Sequence, residues 1–240
     1  MLRGTRGDRT MQYQAIRQGR FLRRPNRFIA HVALDGGEVV CHVKNTGRCR
    51  ELLTPGAVVY LETACRPGRK TNFDLIGVEK PGEPEPLLVN MDAQAPNRVF
   101  QEWAQAGGFL PGLTYLKPEQ RWGNSRFDFY FEAGARRGFV EVKGVTLESG
   151  GHARFPDAPT ERGVKHIEEL TACRREGFEA YLCFVLQMAG MRDFSPNDET
   201  HPAFGEALRS AAKSGVEVLA RECRVTPDTL EITGAVPILL

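Results

Sequence analysis

The stretch Ser125-Arg-Phe-Asp-Phe-Tyr-Phe-Glu132, followed by Ala133-Gly-Ala-Arg-Arg-Gly138 and Phe139-Val-Glu-Val-Lys143, frames the rest of the chain. Phe127, Phe129 and Phe131 alternate with Asp128, Tyr130 and Glu132, the period-2 pattern of a strand with one buried face. Val140 and Val142 alternate with Phe139, Glu141 and Lys143 in a second strand. The six residues between them include two glycines, which suits a hairpin turn. A register with Asp128 opposite Glu141 also sets Glu132 opposite Arg137 and leaves a four-residue loop from Ala133 to Arg136. Opposed residues share a face with Cβ atoms roughly 5 Å apart, and Lys143 follows about 6.6 Å along the strand.

One hairpin face then carries two carboxylates and an ammonium. Such carboxylates raise each other's pKa unless a cation lies between them. Hard oxygen donors in this number suit Mg²⁺, or Mn²⁺ in its place, which keeps positions for water and phosphate. A metal held by Asp128 and Glu141 can activate a water and stabilise an in-line displacement at phosphorus. Lys143 would orient or deprotonate that water, or neutralise the phosphate. The competing reading is a solvated hairpin with a cross-strand salt bridge.

Composition sets the limits. The chain has 240 residues, enough for one large or two small domains with a core. Its 41% hydrophobic and 26% charged content are those of a soluble globular protein. No apolar run reaches the ~18 residues of a membrane span, so no membrane partner is expected. Met1 to Thr10 lack the apolar core of a signal peptide, and Met11 is an alternative start. Cysteines 41, 49, 65, 173, 183 and 223 form no C-x-x-C pair. They read as reduced residues of a cytoplasmic protein without zinc.

Charge divides unevenly. Residues 1–86 carry 15 Lys and Arg against 9 Asp and Glu, whereas residues 87–240 carry 17 against 21. The basic excess concentrates in Arg17, Arg20, Arg23, Arg24 and Arg27, with Phe21 and Phe28 interleaved. Arginines can contact phosphates and aromatics can stack on bases. Equally, the phenylalanines can point into a core. Asn45-Thr46-Gly47-Arg48 is either a backbone-phosphate loop or a plain turn.

Short strands surround these residues: one near Ala15–Leu22, then Arg27–Leu34, Glu38–Val43, Val58–Cys65 and Thr71–Val78. Asp35-Gly36-Gly37 is a hairpin signal. Five strands in about seventy residues suggest an OB-like β-barrel over residues 11–82, with an SH3-like barrel as the rival. Pro81-Gly-Glu-Pro-Glu-Pro86 reads as a linker into a second domain, residues 83–240. There the pattern gives a strand Leu87–Asn90, a helix Asn97–Gly107 and a strand Leu113–Trp122. After the two strands above come a helix Asp157–Gly177 capped by Asp157 or Thr160, an apolar strand Ala180–Met188, a helix Pro202–Ser214 and a strand Val216–Ala220.

That order, with an acid on the second strand and Glu-x-Lys on the third, resembles the PD-(D/E)xK restriction-endonuclease-like α/β core. The chain is more specifically similar to the sugar fermentation stimulation protein A family. The matching segments are Asn45-Thr-Gly47, Asn97-Arg98, Ser125-Arg-Phe-Asp128-Phe129, Glu141-Val-Lys143-Gly-Val-Thr146, Phe155-Pro-Asp157-Ala-Pro-Thr-Glu-Arg-Gly163, Lys165-His166 and Arg192-Asp-Phe-Ser-Pro196. The resemblance implies a two-domain α/β protein, an OB-like domain followed by a nuclease-like one, that binds DNA. It also draws in Glu102, because first-helix acids in this superfamily often join the metal site, although a surface charge is the plain alternative. Glu161 and Lys165 can pair as i, i+4 neighbours. Lys165, Arg126 and Arg162 are candidate nucleic-acid contacts, and His166 reads as structural.

Two functions remain. One is a Mg²⁺- or Mn²⁺-dependent phosphodiesterase on DNA or RNA, with Asp128, Glu141 and Lys143 catalytic. The other is a non-cleaving, sequence-nonspecific DNA-binding regulator of sugar (maltose) metabolism. Neither calls for a protein partner.

Overall fold

The computed structural model describes residues 11–45, 47–64, 68–123 and 125–240. Thr46, Cys65 and part of the Arg66–Lys70 turn therefore lie outside the described residues.

The amino-terminal strands are β1 (Met11–Gln12), β2 (Ile16–Asn26), β3 (Ile29–Leu34), β4 (Gly37–Val43), β5 (Val58–Thr63), β6 (Phe73–Lys80) and β7 (Leu87–Asn90). Alternation is clean in β3, where Ala30, Val32 and Leu34 are buried and the residues between them are not. Between β3 and β4, Asp35 at φ 51° and Gly36 at φ 80° form a two-residue turn whose left-handed backbone matches the strand twist. The sheet runs β4-β3-β2-β5-β6 and closes through parallel pairing of β4 with β6, making a five-stranded OB barrel. Phe21, Val32, Val59, Leu61, Leu75 and Val78 fill it.

The remaining elements are α1 (Ala95–Gln105), β8 (Leu113–Trp122), β9 (Ser125–Ala133), β10 (Arg136–Val145), β11 (Leu147–Ser149), β12 (His152–Phe155), α2 (Glu161–Arg175), β13 (Glu179–Leu186), β14 (Asp193–Pro196), α3 (Pro202–Lys213), β15 (Glu217–Val225) and β16 (Thr229–Ala235). A seven-stranded sheet orders them β1-β16-β15-β13-β10-β9-β8, with β10, β13 and β15 parallel at its centre. One core, built on Val99 and Phe100 of α1, covers one face. Ile167 and Leu170 of α2 with Phe204 and Leu208 of α3 cover the other. β13 is buried along almost its whole length, which explains its unbroken apolar sequence. Among the described residues no helix is long and apolar enough to cross a membrane.

Four departures from the sequence reading concern the domain boundary and the hairpin. β7 pairs with β6, so Pro81–Pro86 connects two strands of the barrel sheet instead of leading into the second domain. Conversely, β1 pairs with β16 at the edge of the large sheet. The hairpin keeps Glu132 opposite Arg137, but Ala133 pairs with Arg136, so the loop is Gly134-Ala135, with Gly134 at φ 62°. Finally, the three phenylalanines do not share a face. Phe129 and Phe131 pack with α1, whereas Phe127 packs with Phe139 in the α2 layer, ring centroids 5.2 Å apart. Both sheet faces are covered, so a strand that rotates midway still buries every phenylalanine.

Candidate active site

Asp128 stands between Phe127 and Phe129, which pack in different layers. The β9–β10 ladder ends at Phe129 and Val140, one pair short of Asp128 and Glu141. There the Asp128 carboxylate takes over: Oδ2 accepts from the Val142 backbone N–H at 2.8 Å, and Oδ1 accepts from Asn97 Nδ2 at 2.8 Å. The acid is thus fixed between the strand it came from and the start of α1. Burial, and then the charge of Glu141, push its pKa above the usual carboxylate range.

Glu141 and Lys143 lie two apart on β10 and so share a face. Lys143 Nζ stands 2.5 Å from Glu141 Oε1. The same oxygen accepts from His166 Nδ1, which arrives from the second turn of α2. On the far side of the ring, Arg162 Nε–H donates to His166 Nε2 at 3.3 Å. That bond leaves the proton of a neutral imidazole on Nδ1, facing Glu141. Burial alone would lift the pKa of Glu141, but the His166 bond and the Lys143 charge outweigh it and hold it below its ordinary value. Glu141 is only 2% exposed, and its Oε2 is buried without any hydrogen-bond partner among the described residues.

The donor set decides which ions fit. Among the described residues no group of three or more His, Cys, Asp or Glu side chains gathers to hold a metal. Two carboxylates, one with an unpartnered buried oxygen, instead fit a hard cation that completes its shell with water and phosphate. Glu102 is not part of this arrangement. It pairs with Arg98 Nε at 3.1 Å. Asn97 is the α1 residue that reaches Asp128, and Glu102 lies five residues on, about 140° around the helix.

The basic residues fall into two kinds. Arg24 donates to the backbone carbonyls of Asn45, Gly47, Arg48 and Arg27 at 2.7–3.0 Å, so it holds the loop and is not offered to a ligand. Arg23 grips Glu38 with both terminal nitrogens, and Arg17 pairs with Asp35. Arg20 spends one nitrogen on the Gly56 carbonyl at 3.1 Å. Arg27 lies 5.9 Å from the centroid of Phe28, which is 50% exposed, while Phe21 belongs to the barrel core. Arg48 is tied down through its backbone: its N–H donates to Asp157 Oδ2 at 3.2 Å and its carbonyl accepts from Arg24. The bond to Asp157, with Asn45 Oδ1 receiving Gly47 N–H at 2.7 Å, folds the loop against the second domain. Arg126 sits near Glu119 at 3.6 Å and Lys165 near Glu169 at 3.7 Å, both on the surface. Arg162 is committed to His166.

Sequence reasoning missed Asn97 and undervalued His166. Both stand in the segments that carry the family resemblance, and that was the available signal. As an isolated amide and an isolated imidazole they carry no spacing of their own.

Comparisons with known proteins give the family. Residues 22–84 match the SfsA N-terminal OB domain, and residues 94–229 match the sugar fermentation stimulation protein RE domain. A sugar fermentation stimulation protein homolog of Desulfitobacterium hafniense is 56% identical over 230 residues, covering 96% of this chain and 99% of the relative. A homolog from Clostridium beijerinckii is 50% identical, covering 96% of this chain and 100% of the relative. Among solved structures, Pyrococcus furiosus SfsA in complex with Ca²⁺ superposes with a TM-score of 0.85 at 28% identity, covering 98% of this chain and 100% of that one. With both domains matched in order and near full-length relatives at this identity, the chain belongs to the sugar fermentation stimulation protein family.

Proposed function

We propose that this protein binds nucleic acid, DNA in the first place, and hydrolyses its backbone at the Asp128, Glu141 and Lys143 site with Mg²⁺ or Mn²⁺. The observation that carries this reading is Glu141 Oε2, a buried carboxylate oxygen with no partner among the described residues, beside an Asp128 lifted in pKa. Buried oxygens are rarely left unmatched, and one set beside a second acid is open to an ion or a water. The Ca²⁺ named with the Pyrococcus relative supports a hard cation in this fold. When bound, such a cation supplies Lewis acidity at phosphorus and makes its water more acidic. The chain's own part is positioning. Asn97 and Val142 hold Asp128, His166 backed by Arg162 holds Glu141, and Lys143 offers a charge to the phosphate or a base to the water. On the barrel, Arg20, Arg27 and Arg48 supply phosphate contacts, with Phe28 as a stacking surface. The test is purified protein with Mg²⁺ or Mn²⁺ on plasmid, single-stranded DNA and RNA, beside Asp128→Ala. Metal-dependent cleavage by wild type alone is expected.

One observation favours the regulatory, non-cleaving reading. Lys143 and His166 already compensate Glu141, so a phosphate can approach with less repulsion before any metal arrives. Equal DNA binding by wild type and Asp128→Ala, with no cleavage in any metal, would select it.

A further inference from the structure

Where the barrel meets the second domain, a cavity of about 290 Å³ opens beside the candidate active site. Asn45 and Gly47 wall it from the barrel, Gly144 and Gln187 from the large sheet, and the turn from Phe155 to Thr160 from in front of α2. Gly144 directly follows Lys143, a single ~3.8 Å Cα step from the catalytic strand position. This volume lies at the small end of ligand pockets and suits one ring-sized group.

Gln187 shows what the group must offer. The side chain is 1% exposed, and its Nε2 donates to the Asn90 carbonyl at 3.1 Å, to Asn90 Oδ1 at 2.9 Å and to the Asp92 carbonyl at 3.0 Å. Three acceptors around the nitrogen fix the amide's orientation, so Oε1 is the atom left over. Oε1 receives no hydrogen bond among the described residues. It lies over Gly144, where a Cβ would come within 2.4 Å of it. Asp157, which accepts the Arg48 N–H, adds a second acceptor to the lining. The rest of the lining includes Phe155, Pro156, Pro159 and Ala93. A flat ring with N–H donors and no negative charge matches this combination, and an anion does not, because Asp157 would repel it.

We propose that this cavity receives one unpaired nucleobase of the bound nucleic acid, held by an N–H donated to Gln187 Oε1. The inference rests on the nucleic-acid reading above and adds to it a place where a base is taken out of the stack. Extruding a base costs least where it is already mismatched or single-stranded. The protein would thus prefer such positions over uniform duplex.

The test uses 2-aminopurine, which brightens on unstacking, in two DNAs: a duplex with the probe opposite thymine, and a duplex whose first overhanging residue is the probe. Anisotropy is recorded in the same cuvette, first in EDTA and then with Ca²⁺. Wild type should brighten the probe several-fold at one position. Ala93→Phe, which adds bulk from an exposed rim residue, should abolish the brightening while weakening binding by no more than about tenfold, the worth of one hydrogen bond. Ala158→Leu is the second filling variant and should behave alike. Brightening in the overhang alone assigns the base to a single-stranded end, and brightening in both DNAs assigns it to extrusion from a duplex. Anisotropy without brightening, or brightening equal in wild type and both filled variants, overturns the pocket and leaves the nucleic-acid reading standing. No anisotropy change with either DNA overturns both.

Discussion

Two aspartates, one in each domain, meet burial in opposite ways. Asp74 of the barrel is 4% exposed and gripped by both terminal nitrogens of Arg69, with Lys44 at 4.0 Å and His42 at 3.2 Å. Burial pushes its pKa up, but the Arg69 bond and the neighbouring cations prevail and the net shift is downward. Asp128 accepts from an amide and a backbone N–H, both neutral, and burial, then the charge of Glu141, outweigh these bonds and the Lys143 charge, so its net shift is upward. Charge matching marks the first as architecture. The second is an acid whose ionised form the protein compensates only in part, which is how functional carboxylates tend to differ from structural ones.

The sharpest way to break this contrast is to remove the acids. Asp128→Ala and Glu141→Gln should each lower metal-dependent cleavage by about a thousandfold, a several-kcal/mol loss of metal-centred stabilisation. In calorimetry the double variant should lose its Mn²⁺ heat. Unchanged Mn²⁺ binding would remove Asp128 and Glu141 as the metal site.

Next in size is the support behind Glu141. His166→Ala should weaken Mn²⁺ binding about 10- to 100-fold, the usual effect of losing a group that orients a metal ligand. His166→Asn, able to donate one N–H toward Oε1, should recover part of that loss. Equal affinities in all three proteins would show that His166 merely fills space.

On the barrel side, Asp74→Asn should destabilise the fold by about 1–3 kcal/mol at pH 7. This lies below the ~3–5 kcal/mol of a fully buried broken pair, because Arg69 reaches solvent. The folded pKa of Asp74 is depressed, so its contribution is complete above the unfolded value near 3.9 and is lost as pH falls through the folded one. Urea midpoints for wild type and variant should therefore converge as pH falls through the folded value. Asp128 carries the reverse sign: a raised folded pKa lowers stability as pH climbs from the unfolded value through the folded one. A constant gap between the two proteins across pH would mean that Asp74 owes its role to shape alone.

The smallest effect concerns binding. Arg20→Ala and Arg27→Ala should each reduce the salt slope of log K on duplex DNA by about 0.9. Arg24→Ala should instead loosen the Asn45–Arg48 loop and appear as lost stability, since all its resolved bonds go to backbone carbonyls. Slopes unchanged for Arg20 and Arg27 would move the phosphate contacts to Arg126 and Arg154.

Much of this was readable from residue order. Alternation gave the barrel strands and β8 to β10, since burying one face of a strand repeats every second residue. The short strands β11, β12 and β14 escaped notice, because three or four residues with mixed burial leave no periodic trace. Asp157 and Thr160 were equal candidates to cap α2. Contact with Arg48, far away in the chain, occupies Asp157, and Thr160 Oγ1 accepts the Gly163 N–H.

By itself the sequence determined a barrel followed by an α/β domain and the Glu132–Arg137 register of the hairpin, and its spacing put Asp128, Glu141 and Lys143 forward as candidates. Tertiary structure alone decided that Asn97 and not Glu102 meets Asp128, that His166 supports Glu141, and that Arg24 braces a loop. It also settled that β1 and β7 each pair with strands on the far side of the expected boundary. Each of these turns on which partner a polar group finds once the chain is folded, and hydrogen-bond satisfaction is a property of the assembled space, which no stretch of sequence contains.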